Sequence, residues 1–426
     1  MERNLKLFVK KGIFLSSLLL TSCGNNNDMY ITNIIPEQTE VETVEITFEE
    51  NKNINEFNGI EEVTLSENEI EEVIPENEHV DLLMIGDMLI HKPVYKSGFQ
   101  SDGSLNYDHF FQNIQEDLDE AEIKIVNQET ILGGSDLGFS SYPCFNSPQE
   151  IGDSEAAAGF NVILHATNHT MDKGYTAIKN TMDFWKNNYP DIKVLGINDN
   201  VEEQKNIQLY EQNGFKIALL NYTYGTNGIN LPSDKPYLVN LLNEQKVTED
   251  ITLAKSIADF IVVLPHWGTE YRYTPDSLQQ KYTKLFSDLG VDLVIGTHPH
   301  VLENIEIITN EEGHDMLVYY SLGNYVSGQT KRDRVIGGMA KVSIEKDYET
   351  GECYITEYEL DPIVTQQGTY TCYKLEDYND ELAKQNRIRN YSGCSNFDMN
   401  YINELCTKIL GDSFNQEEEK VLVRLK

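Results

Sequence analysis

From residue 80 onward the chain alternates between two kinds of pattern. Short apolar runs at 80–85, 123–126, 160–164, 215–220, 259–264, 291–295 and 316–320 read as β-strands. Several are apolar at consecutive positions, as a strand covered on both faces requires. Stretches with helical spacing at 175–186, 250–258 and 277–289 fall between them. The alternation predicts an α/β fold. Residues 335–361 read as further β structure, and neither an internal repeat nor a Gly/Ser linker interrupts the block. Beyond residue 362 the chain turns polar and rich in Tyr and Asn, with a short helix expected over 398–410. This stretch, 363–426, reads as a C-terminal extension with no assignable chemistry. A disulfide among Cys372, Cys394 and Cys406 is left open.

Upstream of residue 80 the pattern changes. Arg3, Lys6, Lys10 and Lys11 precede an apolar stretch, 13–20, much too short to span a bilayer as a mature helix. It ends in Leu20-Thr21-Ser22-Cys23, which resembles the bacterial lipobox. That implies removal of residues 1–22 as a signal peptide and diacylation of Cys23. The protein is then expected outside the cytoplasm, lipid-anchored to the bacterial cell membrane. An ordinary signal peptide with an incidental Cys is the plainer alternative. Residues 23–79 read as an acidic disordered tether: from 36 to 79 there are 15 Glu, one Lys and no Asp. So charged a segment buries too little surface to offset its ordering entropy. Its role is a spacer or, alternatively, a binding site for a basic partner.

Length and charge narrow the possibilities. At roughly 150 residues per domain, 426 residues allow two or three domains. The 70 acidic and 33 basic residues leave a net charge of −37, and removal of the leader takes it to about −40. Phosphate backbones repel such a chain, so nucleic acid is not an expected partner. Six Cys without a CxxC pair support neither a disulfide scaffold nor a thiolate zinc site.

The chemistry lies where the strands end. Six of the apolar runs lead straight into polar clusters rich in metal-ligand side chains. These are Gly86-Asp87 with His91; Asn127-Gln128-Glu129; His165 through Asn168-His169; His266 with Glu270; His298-Pro299-His300; and Ser321 through Asn324. In open α/β sheets, ligand sites form outside the carboxyl ends of the strands. Six of the nine His residues sit in these clusters. Imidazoles with carboxylates and amide oxygens suit divalent Mn, Zn or Fe, and a carboxylate can bridge two such ions. Each cluster alone has a plainer reading. Gly-Asp after a strand is commonly a turn, Asn168-His169 can cap a helix, and His165, within its strand run, reads as a core or supporting residue. In His298-Pro299-His300 the proline keeps the segment out of a helix and lets both rings face one site.

The motifs IGDMLIH (85–91), NQET (127–130), HATNHTMDKG (165–174), LPHWGTEY (264–271), GTHPHV (296–301) and YSLGNY (320–325) together resemble the poly-γ-glutamate capsule biosynthesis (CapA) family. The resemblance covers about residues 80–362. It implies a calcineurin-like metallophosphoesterase fold, a four-layer αββα sandwich. It also implies Asp87, His91, Glu129, Asn168, His266, His298 and His300 as candidate ligands, with His169 beside the metals as the catalytic group. Asn127, Glu270 and Asn324 are placed for substrate contact or ligand support. One departure stands out: metallophosphoesterases at large begin with Asp-x-His, whereas Asp87 and His91 are more widely spaced, and Glu129 takes the place of a bridging Asp.

The expected function is that of a surface-anchored protein of capsule or poly-γ-glutamate biosynthesis. Metal-activated water would attack an anionic polymer or a phosphoester, with His169 protonating the leaving group. The alternatives are a noncatalytic assembly or export subunit working with membrane subunits of a polymer synthase, or a peptidase acting on wall or polymer peptides. No GxSxG or HExxH motif supports another hydrolase class.

Overall fold

The computed structural model describes residues 78–411 and three short strands upstream. Those strands, β1 (Leu19–Thr21), β2 (Met29–Thr32) and β3 (Thr43–Ile46), pair antiparallel as a unit of their own. Cys23 and the rest of the leader and acidic tether lie outside the described residues.

The main unit carries, in chain order, β4 (Glu78–Leu89), β5 (Ile123–Asn127), β6 (Val162–Leu164), β7 (Lys193–Leu195), β8 (Gln208–Gln212), β9 (Phe215–Thr223), β10 (Phe260–His266), β11 (Leu293–Ile295), β12 (Ile305–Thr309), β13 (Asp315–Tyr319), β14 (Asn324–Ser327), β15 (Ile336–Lys346), β16 (Cys353–Gln366) and β17 (Thr371–Lys374). They form two sheets. One runs β17-β16-β15-β4-β5-β6-β7, with β14 also paired to β4; the other runs β12-β13-β11-β10-β9-β8. Strands β4 to β7 are parallel, as are β9, β10, β11 and β13, and antiparallel strands complete the edges.

Alternation along each strand sorts the core into layers. Leu82 and Met84 of β4 point between the sheets, where they meet Leu219, Val262 and Ile295 of the second sheet. Leu83 and Ile85 point the other way and pack with Phe111, Ile151 and Trp185. On the outer face of the second sheet, Leu220, Val263 and Val318 pack with Ile251 of helix Glu244–Ile257 and Phe286 of helix Ser277–Asp288. The result is the expected four-layer αββα sandwich. All seven apolar runs are strands because burial on both faces demands apolar side chains at every position.

The sequence pattern drew a border at residue 362 that the fold does not keep. β16 crosses it, and β17 extends the same sheet. Ile388, Phe397, Ile402 and Cys406 then pack against Leu302, Val335, Ile336 and Val364. The helix expected over 398–410 forms at Met399–Leu410, capped by Asp398. Cys372, Cys394 and Cys406 are buried free thiols rather than disulfide partners. The segment's polar composition hid this, because its few apolar residues are the ones that turn inward.

Candidate metal centre

The end of β4 and the loops after β5 and β6 bring oxygen donors to one buried pocket. Asp87 is level with Asn127 of β5 and Asn324 of β14. Here β4 and β14 run so close that a Cβ on Gly86 would lie 2.1 Å from the Gly323 carbonyl oxygen. Only glycine fits that approach, and the Asp87 N–H donates to the same carbonyl at 2.9 Å. The Asp87 carboxylate accepts from Asn127 Nδ2 (2.8 Å) and from the His298 backbone N–H (3.3 Å), and it faces His300 Nδ1 (3.0 Å). Glu129, just past β5, is buried with no hydrogen bond to either oxygen. Its Oε1 lies 3.7 Å from both His266 Nε2 and His300 Nε2.

The second sheet brings the imidazoles. His266 ends β10 between Thr223 and Thr297. Its Nδ1 meets Thr297 Oγ1 and its Nε2 meets Asn168 Oδ1, each at 3.0 Å. His298 and His300 both have positive φ, 101° and 58°, a region costly for side chains with a Cβ. With Pro299 between them, this bend turns both rings into the pocket, 5.7 Å apart, and sets His298 4.8 Å from His266. His298 Nδ1 is buried without a partner.

Burial governs the electrostatics. Removal from water, with Asp87 nearby, pushes the Glu129 carboxyl well above its ordinary range. Burial and then the neighbouring imidazoles hold His266 and His298 far below theirs, which favours the neutral form of both rings. A buried carboxylate without a donor and a buried ring nitrogen without a partner are costly unless a cation meets them. The donor atoms form two groups, Glu129–His266–His298 and Asp87–Glu129–His300, each within 4.8 Å. The groups share Glu129. Nitrogen and oxygen donors around a shared carboxylate fit a pair of divalent ions.

The other expected residues divide. Asn168 lies at the pocket through His266, with its Nδ2 3.3 Å from Asn227 Oδ1. It does not cap a helix: helix Gly174–Asn188 starts later, behind Lys173. His169 Nδ1 is 2.7 Å from Asp172 Oδ2, which also accepts the Phe145 N–H, leaving Nε2 as the free edge of the ring. Asn127 steadies Asp87 and lies 3.4 Å from His266 Nδ1. Glu270 is exposed and close enough to add to the charge felt by Glu129. Asn324 Nδ2 donates to the carbonyls of His300 (3.2 Å) and Arg334 (2.9 Å), a brace for the loops.

His91 belongs to neither donor group. It precedes helix Lys92–Ser97, and its Nδ1 sits 3.1 Å from the Leu89 carbonyl and 3.3 Å from the Gly328 amide. The chain turns at the end of β4 and carries His91 to the flank, edge-on to Phe145. Burial holds its pKa at about 4. His165 is a core acceptor for Trp185 Nε1 at 3.1 Å. Pattern reading missed Asp172 as the partner of His169, although their three-residue spacing hinted at it. It also missed Thr297, Tyr224 over His298 (4.6 Å) and Tyr271 beside His300 (6.0 Å). Those contacts cross between loops far apart in sequence and leave no local signal.

A two-sheet sandwich with a buried nitrogen–oxygen donor pocket at its strand ends defines the class. The chain belongs to the family described as bacterial capsule synthesis protein PGA_cap, matched over residues 81–329. It is 30% identical over 250 residues to the PGA biosynthesis protein CapA of Bacillus subtilis, a match covering 56% of this chain and 58% of that protein. It is 28% identical over 263 residues to the capsule biosynthesis protein CapA of Bacillus anthracis, covering 60% and 61%. The matches thus span less than two thirds of either relative. Among solved structures, a Mycoplasma pneumoniae phosphatase superposes with a TM-score of 0.42 at 17% identity, covering 68% of this chain and 94% of the other. A putative 5′-nucleotidase from Staphylococcus aureus gives 0.44 at 19%, covering 66% and 54%.

Proposed function

We propose that this chain is a metal-dependent hydrolase or transferase of capsule biosynthesis, anchored outside the cell by a lipid on Cys23. Its substrate is an anionic polymer of the poly-γ-glutamate type or a phosphoester. The observation that carries the reading is Glu129, a buried carboxylate without a hydrogen bond between His266 and His300. The names of the Bacillus relatives support the capsule context.

Asp87, Glu129, Asn168, His266, His298 and His300 would hold two divalent ions. Bound there, the ions supply Lewis acidity and an activated water. The chain's own side chains supply the rest. Asn127 and Thr297 fix the orientations of Asp87 and His266. Asp172 holds the His169 Nδ1 edge, so Nε2 is the atom that delivers a proton to the leaving group. The buried donor pocket keeps bulk water from competing with these contacts.

The test is elemental analysis of purified chain, followed by assays on a model phosphodiester and on γ-glutamyl peptides with and without Mn²⁺. The reading expects about two ions per chain and metal-dependent turnover of one substrate. A folded chain that takes up no metal overturns it. Metal uptake without turnover of either substrate favours the noncatalytic assembly subunit, with the ions serving structure.

A further inference from the structure

Arg334 lies beside the loop that carries His298 and His300, with no ion pair among the described residues. Its Cζ sits 3.3 Å from the centre of the Tyr271 ring, and that ring is 6.0 Å from His300. Two links fix the arrangement to the donor loop. The Tyr271 N–H donates to the Pro299 carbonyl at 2.7 Å, and Asn324 Nδ2 reaches the carbonyls of both Arg334 and His300. Tyr271 adopts φ 65°, and its hydroxyl accepts from Gln329 Nε2 at 3.2 Å. Among the described residues, no ion pair joins Arg334 to a carboxylate, and its Nε is buried without a hydrogen-bond partner. Arg332 is likewise free of an ion pair among the described residues and stacks on Tyr401; what distinguishes Arg334 is its link to the donor loop through Tyr271 and Asn324. A planar cation stacked on an aromatic ring keeps its donor edges free for a planar or tetrahedral oxyanion.

We propose that Arg334, stacked on Tyr271, is the residue that recognises an oxyanion of the substrate, a carboxylate or a phosphate, and sets it beside the donor pocket. The inference rests on the proposed function and narrows its substrate class to molecules bearing such a group near the bond to be cleaved. It also answers an electrostatic difficulty: a chain with a net charge of −37 should repel an anionic polymer unless a local cation receives it.

The experiment measures binding of inorganic phosphate and of a γ-linked glutamate tripeptide to the full chain by calorimetry, with and without Mn²⁺. Wild type is compared with Arg334→Ala, Arg334→Lys and Arg332→Ala. Arg332 stacks on Tyr401 instead and serves as the charge control. The expected result is a loss of about 10- to 100-fold in affinity for one probe in Arg334→Ala, and a smaller loss in Arg334→Lys, which keeps the charge but not the fork. Arg332→Ala should bind as wild type does. The probe that responds identifies the anion as carboxylate or phosphate. If Arg334→Ala unfolds, Arg334→Lys decides. The proposal is overturned if the folded Arg334 variants bind both probes as tightly as wild type, or if wild type binds neither. A chain that takes up no Mn²⁺ sinks the proposed function instead, and the metal-free titrations still decide on Arg334.

Discussion

The two sheets contribute different chemistry to one pocket. The sheet built on β4, β5 and β6 supplies acids and amides, Asp87, Glu129 and Asn168. The sheet built on β10 and β11 supplies imidazoles, His266, His298 and His300. Backbone conformation differs as well. Asp87 lies within β4, where the pairing with β5 shifts register just before it, whereas His298 and His300 depend on a bend with positive φ. Each proposed donor group draws on both sheets, so neither half can bind an ion in the same way alone. An ion bound in either group would therefore join the two sheets.

The sharpest way to break that comparison is to remove one donor from each half. Asp87→Asn and His298→Ala are both expected to lose bound metal, read by elemental analysis, and to lower activity by about 10³-fold or more. If only one of them loses metal, the pocket is one-sided. Next in size, His169→Ala should keep its metal and lose about 10²- to 10³-fold in kcat, with Asp172→Asn losing less. Loss of metal in His169→Ala would make that ring a ligand rather than a proton donor.

Two smaller tests probe the supports behind each half. Behind the imidazoles lies Glu303, buried against Gln279, with its carboxyl pushed up to about 8 by burial. Its folded-state pKa is above the ordinary 4.5, so the fold prefers the protonated form. Wild type therefore carries no penalty below about pH 4.5, loses stability as pH rises toward 8, and holds a constant deficit above that. Thermal unfolding of metal-stripped protein should show Glu303→Gln gaining on wild type across that window, by on the order of 1–3 kcal/mol at pH 8. A difference independent of pH would refute the assignment. Behind the acids lies His165, held by Trp185. Trp185→Phe leaves that ring nitrogen without its donor and should cost about 1–2 kcal/mol, with metal content unchanged.

Much of this was legible before any fold was known. Strands apolar on both faces announce themselves through local composition, and all seven apolar runs became strands. Six candidate donors that gather in the pocket could be picked out because each follows such a run within a few residues: Asp87, Glu129, Asn168, His266, His298 and His300. The failures share one cause. His91 looked like a ligand by nearness to Asp87, but the turn after β4 aims it at Phe145. Asn168, a candidate ligand in the sequence, faces His266 from another sheet, 98 residues away, and the plainer reading of it as a helix cap is the one that fails. Residues 363–410 looked like an appendage, yet they complete one sheet and a buried cluster.

The sequence by itself thus determined the strands, the donor types and the end of each strand where chemistry gathers, because burial and period-two alternation act over a few residues. Only the tertiary structure decided which donors share a pocket, which histidine stays outside, and which arginine stacks on the tyrosine beside His300. Those outcomes depend on sheet register, on the strained bend at His298 and His300, and on contacts between loops that no short stretch of chain encodes.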